Sequence, residues 1–187
     1  MVPPNCKFEV DDVEQDWAYS EKFDFIHSRM MMGALDNIPR FIDQAFANLT
    51  PGGILEMSSV TWPAKLNDGE WPKNSAHKLW MESISEALAK IGRKAECARE
   101  YKDQMIAAGF VNVVERVYIW PCNRWPKDAR LKELGMWELE NTEKGLEAIS
   151  LGLFTRVLGW TALEVQMFIL KVRAEFRDTT IHAYYEV

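Results

Sequence analysis

Three side chains here have the chemistry for proton transfer: His27, Glu56 and His77. Histidine titrates near neutral pH, and a carboxylate can be tuned toward it by its surroundings. Either can therefore serve as acid or base in a cyclisation, isomerisation or elimination. A plainer reading makes His27 a hydrogen-bonded histidine at a strand end. Tryptophans punctuate the same chain at Trp62, Trp71 and Trp80, and in Trp120-Pro121 through Trp125-Pro126. Such rings can enclose a hydrophobic small molecule, or they can be core and lid packing. A fourth feature is the acidic turn Asp11-Asp12-Val13-Glu14, whose carboxylates can receive a ligand's donors or simply cap the turn.

Several chemistries are absent by pattern. Glycine-rich phosphate cradles need closely spaced glycines so that backbone N–H groups can reach the ligand. No two of the ten glycines are separated by a single residue, so G-x-G does not occur, and neither does a Walker A loop. No G-x-S-x-G elbow surrounds Ser28, Ser58 or Ser59. Cys6, Cys97 and Cys122 are odd in number and scattered, which suits a reducing compartment rather than a disulfide framework. With His27, His77 and His182 they form no metal-ligand spacing.

Composition narrows the class further. Of 187 residues, 48% are hydrophobic, enough to bury a core. A net charge of −6 argues against a nucleic-acid partner. No apolar run approaches the ~20 residues of a membrane helix, and the first residues lack the pattern of a signal peptide. The expectation is a soluble chain of the cytoplasm, or alternatively of the nucleus.

The elements that must position these groups alternate in type. Phe23–His27 is predicted as a strand, with a shorter one over Cys6–Val10. Asp36-Asn37-Ile38-Pro39 opens a helix whose Ile38, Phe41, Ile42, Ala45, Phe46 and Leu49 share one face. Thr50-Pro51-Gly52-Gly53 should turn the chain into a strand over Ile54–Val60, completing a parallel crossover unit. Residues 61–74 read as irregular. Helices are expected over 75–91, 97–108, 127–139 and 145–158, and the capping box Thr161–Glu164 starts another. Val111–Ile119 has the strongest β character of the sequence, and Ile181–Val187 reads as a final strand. The alternation indicates an α/β fold in a single domain over 1–187, with lid or insert segments at 61–95 and 121–160.

The stretch Asn5–Glu14, Trp17 and Phe23-Asp24-Phe25-Ile26-His27-Ser28-Arg29, followed by Ala45–Met57 with its Pro-Gly-Gly, resembles the middle of a class I S-adenosylmethionine-dependent methyltransferase. Together with Lys171–Tyr185 it is similar to the fungal LaeA-like branch of secondary metabolism. The resemblance implies a Rossmann-like fold with a partial parallel sheet, flanking helices, a helical lid and an antiparallel last strand. It also implies that Asp12, with the Val13 backbone beside it, holds the cofactor's adenine while Trp17 shields the ring. His27, Ser28 and Arg29 would line the cofactor and substrate cleft.

A complete member of that family begins with a strand, a glycine-rich loop, a helix and a ribose-binding acid. This sequence is expected to start after them, a truncated domain that leaves Phe23–His27 as a bare sheet edge. Three expectations follow. One is a methyltransferase that uses S-adenosylmethionine on a hydrophobic small molecule once a partner chain completes it. Another is a cofactor-free cyclase, isomerase or lyase that uses the apolar pocket. The third is a non-catalytic scaffold that dimerises through the bare edge, with Met30-Met31-Met32 as an adaptable contact surface or as a buried helix start.

Overall fold

The computed structural model describes residues 3–187. In chain order they form β1 (Phe23–Arg29), α1 (Ile38–Asn48), β2 (Leu49–Ser58), β3 (Thr61–Leu66), α2 (Ala76–Lys90), a 3₁₀ turn (Cys97–Glu100), α3 (Tyr101–Ala107), β4 (Ile119–Pro121), α4 (Ala129–Arg156), α5 (Ala162–Arg177) and β5 (Ala183–Glu186). The strands make two small sheets. β1 and β2 pair in parallel, while β5 lies between β3 and β4, antiparallel to both.

The parallel unit forms for the reasons legible in its residues. The Asn37 side chain accepts the Arg40 N–H and so caps α1, with Pro39 in the first turn where no amide partner is lost. Ile38, Phe41, Ile42 and Ala45 are buried along one face of the helix. The Pro-Gly-Gly segment does not stand outside the strand. It lies within β2 as an irregularity, so that Phe23 faces Leu49 but Phe25 already faces Ile54. From there the register runs without a break to Arg29 opposite Ser58.

Hydrophobic packing is divided. One core gathers α2, α4, α5, β3 and β5 around Trp62, Trp80, Ile84, Phe154, Ile169 and Phe176. A smaller one lies beneath α1, where Leu35, Phe41, Ile42 and Tyr101 meet Val13, Trp17, Met31 and Met32.

Four expectations are corrected. Residues 6–10 are exposed and have no strand partner among the described residues, so no strand forms there. Val111–Tyr118 also lies outside any strand until Ile119, with Val111, Val114 and Val117 open to solvent. β propensity describes a fit to a half-buried pleated surface, and no edge among the described residues faces this segment until β5 reaches Tyr118 and Ile119. Thr61–Leu66, read as irregular, is β3 despite Pro63. The two helices expected over 127–158 are one continuous α4. Its polar middle is held by Thr142, which donates to the buried Glu138 carboxylate at 2.8 Å, and by Arg177 of α5, which pairs with Glu143.

Candidate functional site

β1 and β2 place His27 and Glu56 in register, with His27 Nδ1 and Glu56 Oε1 3.7 Å apart. Alternation along the strands puts Phe25, His27 and Arg29 on one face and Ser28 on the other. Ser28 is buried. Across from them Ile54 and Glu56 share the first face, where Phe25 and Ile54 are each more than half exposed. The Phe25 ring lies stacked near His27, at 6.1 Å between centroids. Among the described residues no element covers this face of the parallel pair, although parallel strands are ordinarily buried on both sides.

The acidic turn is built separately and then fastened to α1. Asp12 accepts from the Glu14 N–H at 3.0 Å and from Gln15 Nε2 at 3.4 Å. Glu14 reaches across the chain, and its Oε1 accepts the N–H groups of Asp36 (2.9 Å) and Asn37 (2.8 Å) just before α1. Trp17 donates its ring N–H to the Val13 carbonyl at 2.9 Å, and Gln44 of α1 both donates to that carbonyl and accepts the Trp17 N–H. The Trp17 ring meets Phe41 and Tyr19 edge-on. No hydrogen bond uses the Val13 N–H among the described residues. Asp12, Val13 and Trp17 thus lie on one braced loop. Glu14 and Gln44, which do the bracing, had no local signal in the sequence because their partners lie more than twenty positions away.

The loop after β1 meets that turn. Met30 donates its N–H to the Ser58 carbonyl at 2.9 Å, tying the carboxyl ends of β1 and β2 together. Met31 and Met32 pack inward in the same cluster as Val13 and Trp17, while Met30 points out and is 39% exposed. The carboxyl end of the parallel pair and the acidic turn therefore adjoin.

His77 is elsewhere. It sits in the first turn of α2, almost wholly buried, with its ring on Phe176 (3.9 Å between centroids), Trp71 (5.0 Å) and Trp80. None of these neighbours belongs to β1 or β2. Its Nε2 has no hydrogen-bond partner among the described residues, and burial lowers its pKa to about 3, so the ring is neutral at neutral pH. Glu175 of α5 anchors the same helix start by accepting from Ser75 Oγ and from the N–H groups of Ala76 and His77.

The tryptophans are packing groups in this arrangement. Trp62 and Trp80 are buried in the larger core, where Trp80 donates to Ser150 Oγ and Trp62 to Ser85 Oγ. Trp125 donates to the Ala183 carbonyl. Two surface clefts, of about 270 and 410 Å³, lie along α5 beside Glu147 and along residues 85–100. Neither is lined by a tryptophan, His27, Glu56 or His77. Burial also raises the pKa of Tyr185, and of Cys122 and Glu138, which sit near one another where α4 packs against the end of β4. The described residues hold no cluster of His, Cys, Asp and Glu able to bind a metal, and no helix long and apolar enough to cross a membrane.

Comparison with known proteins decides the family. The methyltransferase domain profile matches residues 2–115, more than half of the chain. The chain belongs to the methyltransferase domain family. Methyltransferase pytC of Aspergillus terreus is 39% identical over 185 residues, which is 99% of this chain and 57% of that protein. The secondary metabolism regulator LAE1 of Cochliobolus heterostrophus is 30% identical over 187 residues, covering 98% of this chain and 61% of its own length. The protein-methionine methyltransferase laeA of Emericella nidulans is 28% identical over 185 residues, covering 97% and 49%. The chain therefore spans about half the length of the curated relatives it matches, and the parallel pair of β1 and β2 with its flanking helices is a partial Rossmann-like methyltransferase fold. The last strand, β5, is antiparallel, as expected, but to β3 and β4 in the second sheet.

Proposed function

We propose that this chain is the adenine-side and acceptor-side part of an S-adenosylmethionine-dependent methyltransferase of fungal secondary metabolism, acting on a hydrophobic small molecule. The observation that carries the reading is the braced acidic turn. Both carboxylate oxygens of Asp12 keep acceptor capacity beyond the bonds they make, and the Val13 N–H beside them has no partner among the described residues. An acceptor next to a free donor matches the amino group and ring nitrogen of adenine, and Glu14 keeps the turn from collapsing. These residues fit that end of the cofactor. The sulfonium would supply an electrophilic methyl group, while this chain's part is to orient and to exclude water.

No G-x-G exists in the sequence to cradle the methionine and ribose portions. The reading therefore includes a glycine-rich part, contributed by a partner chain or by a further segment, that covers the open Phe25–Ile54 face and the free edge of β1. A second copy of this chain is the alternative cover, with no glycine-rich loop of its own to offer. Within the completed cleft, His27 and Glu56 are assigned to the acceptor as acid and base, and Ser28 and Arg29 to the cleft wall. His77, sealed among aromatic rings, is left out of the chemistry. Segments 61–95 and 121–160 are assigned to the lid. The relative bearing the name protein-methionine methyltransferase sets a protein thioether beside the small molecule as an acceptor type.

Calorimetric titration with S-adenosylmethionine, run with a measurement of mass in solution, tests the reading. Binding that weakens in Asp12→Ala supports it. Binding that is indifferent to Asp12, or absent even when a glycine-rich half is supplied, overturns it.

A further inference from the structure

The carboxyl end of α2 reaches the loop that follows β1, and it does so from a rigid base. Gly92 adopts φ +79°, and the N–H groups of Gly92 and Arg93 bond back to the carbonyls of Ala89 and Leu88. This double closure stops the helix and fixes the backbone from which the Arg93 side chain projects. Arg93 Nε donates to Asp36 Oδ1, and its Nη1 donates to the Gly33 carbonyl at 2.9 Å. Leu88 fits against Gly33 beside that fork, where a Cβ would come within 2.9 Å of a leucine methyl carbon. A lysine could not reproduce the arrangement, because only the planar guanidinium offers several donors in fixed directions. Asp36 is also held from its other side. Its N–H donates to Glu14 Oε1 at 2.9 Å, and Glu14 belongs to the acidic turn that carries Asp12 and Val13. Arg93, Asp36 and Glu14 therefore form a continuous series of hydrogen bonds from α2 to that turn. Leu88 lies in the larger core and Val13 and Trp17 in the smaller, so the series spans the two. Among the described residues Arg93 makes no hydrogen bond to residues 11–17 itself.

We propose that Arg93 is a positioning residue for the cofactor turn, coupling the carboxyl end of α2 to adenine binding through Asp36 and Glu14. The proposal rests on the S-adenosylmethionine reading above and adds to that site an element that sets its position. Asp11 and Asp12 are exposed, so packing alone does not fix the turn. Its placement depends on Glu14, and Glu14 is only as well placed as the Asp36 N–H that it accepts. Arg93 fixes Asp36 by its carboxylate and, through the Gly33 carbonyl, the loop that leads to it. Cutting the series at Arg93 frees the turn without touching it. Coupling of this kind is reciprocal. A ligand that orders the turn therefore also orders residues 91–95, at the end of the segment 61–95 assigned to the lid.

The test is amide exchange by mass spectrometry on the full chain, on Arg93→Met, on Glu14→Ala and on the double variant, each purified with any partner retained from its own cells. The same preparations, with Asp12→Ala, are titrated calorimetrically with S-adenosylhomocysteine. In Arg93→Met, exchange over residues 11–17 should quicken about two- to fivefold, the range set by an exposed ion pair. In the double variant it should rise no further than in Glu14→Ala, because the series is already cut. Exchange within α5 should stay as in the wild type, and affinity for S-adenosylhomocysteine should fall about two- to fivefold in Arg93→Met. Unchanged exchange over 11–17, effects that multiply in the double variant, or faster exchange in α5 as well would each overturn the inference. Affinity that falls in Asp12→Ala but not in Arg93→Met overturns it too and leaves the methyltransferase reading intact. Affinity indifferent to both variants overturns the two together.

Discussion

Lowering the pH should unfold this protein through His77, and the effect can be worked from its surroundings. The ring lies between Phe176, Trp71 and Trp80, its Nε2 is unpaired, and its folded pKa is about 3 against 6.5 for a free histidine. A cation formed there would lose its water and gain no partner. Because the folded value lies below the unfolded one, the unfolded chain binds the extra proton between them. Stability is therefore complete above pH 6.5 and falls as the pH drops through that window toward 3. At 1.36 kcal/mol per unit, this one residue removes about 2 kcal/mol by pH 5 and about 4 kcal/mol by pH 3. Carboxylates paired in the folded state, such as Glu143 with Arg177, add to acid loss, so the measurement must be a difference. Urea unfolding of the wild type and of His77→Leu, followed by tryptophan fluorescence, should give a gap in unfolding free energy that widens by about 2 kcal/mol in favour of the variant between pH 7 and 5. Parallel pH profiles for the two proteins, or an NMR titration of His77 near 6.5, would refute the reasoning.

Other perturbations have equally definite expectations. A Cβ on Gly135 would lie 1.9 Å from the Asn123 carbonyl oxygen, where α4 presses on the loop after β4; Gly135→Ala should lower stability by about 3 kcal/mol in chemical denaturation. The helical Gly145 meets only the tip of Ile149 at 3.5 Å, so Gly145→Ala should raise stability by up to about 1 kcal/mol in the same assay. Glu14→Ala frees the Asp36 and Asn37 N–H groups and should cost about 1–2 kcal/mol, with faster amide exchange over residues 11–17. Unchanged exchange there would mean that Glu14 does not brace the turn. The His27–Glu56 pair is half exposed, so His27→Ala should leave the unfolding midpoint nearly unchanged. A drop in turnover of the completed enzyme would assign His27 to the acceptor, and unchanged turnover would remove it from the chemistry.

Local patterns revealed those parts of the fold whose causes are local. The cap at Asn37 with Pro39, the apolar face of α1, the capping box of α5 and the parallel pairing of β1 with β2 all follow from neighbouring residues. Val111–Tyr118 shows the limit of that logic. Its residues favour a strand, but the strand exists only where another edge supplies hydrogen bonds, and β5 supplies them from Tyr118 onward. α4 looked interrupted at Asn141–Lys144 because its inward Glu138 and Thr142 are polar and satisfy each other. β3 was hidden by Pro63 and recruited by β5, more than a hundred residues later. For the candidate site, Asp12, Val13 and Trp17 were legible as a unit through the family resemblance. The residues that hold them were not: Glu14 fastens the turn to Asp36 and Asn37, and Gln44 locks Trp17. His77 has the residue type of an acid or base, but burial among aromatic rings away from β1 and β2 holds it neutral.

The central claim is that this chain supplies the adenine and acceptor sides of a methyltransferase whose glycine-rich side comes from elsewhere. The direct measurement is calorimetric titration of S-adenosylmethionine into the chain alone, and into the chain mixed with the remainder of pytC, the part that it does not match. The account predicts weak binding by the chain alone, much tighter binding by the mixture as a one-to-one complex, and loss of that gain in Asp12→Ala. Tight binding by an isolated monomer would contradict the need for a second part, and no binding by the mixture would contradict the claim itself.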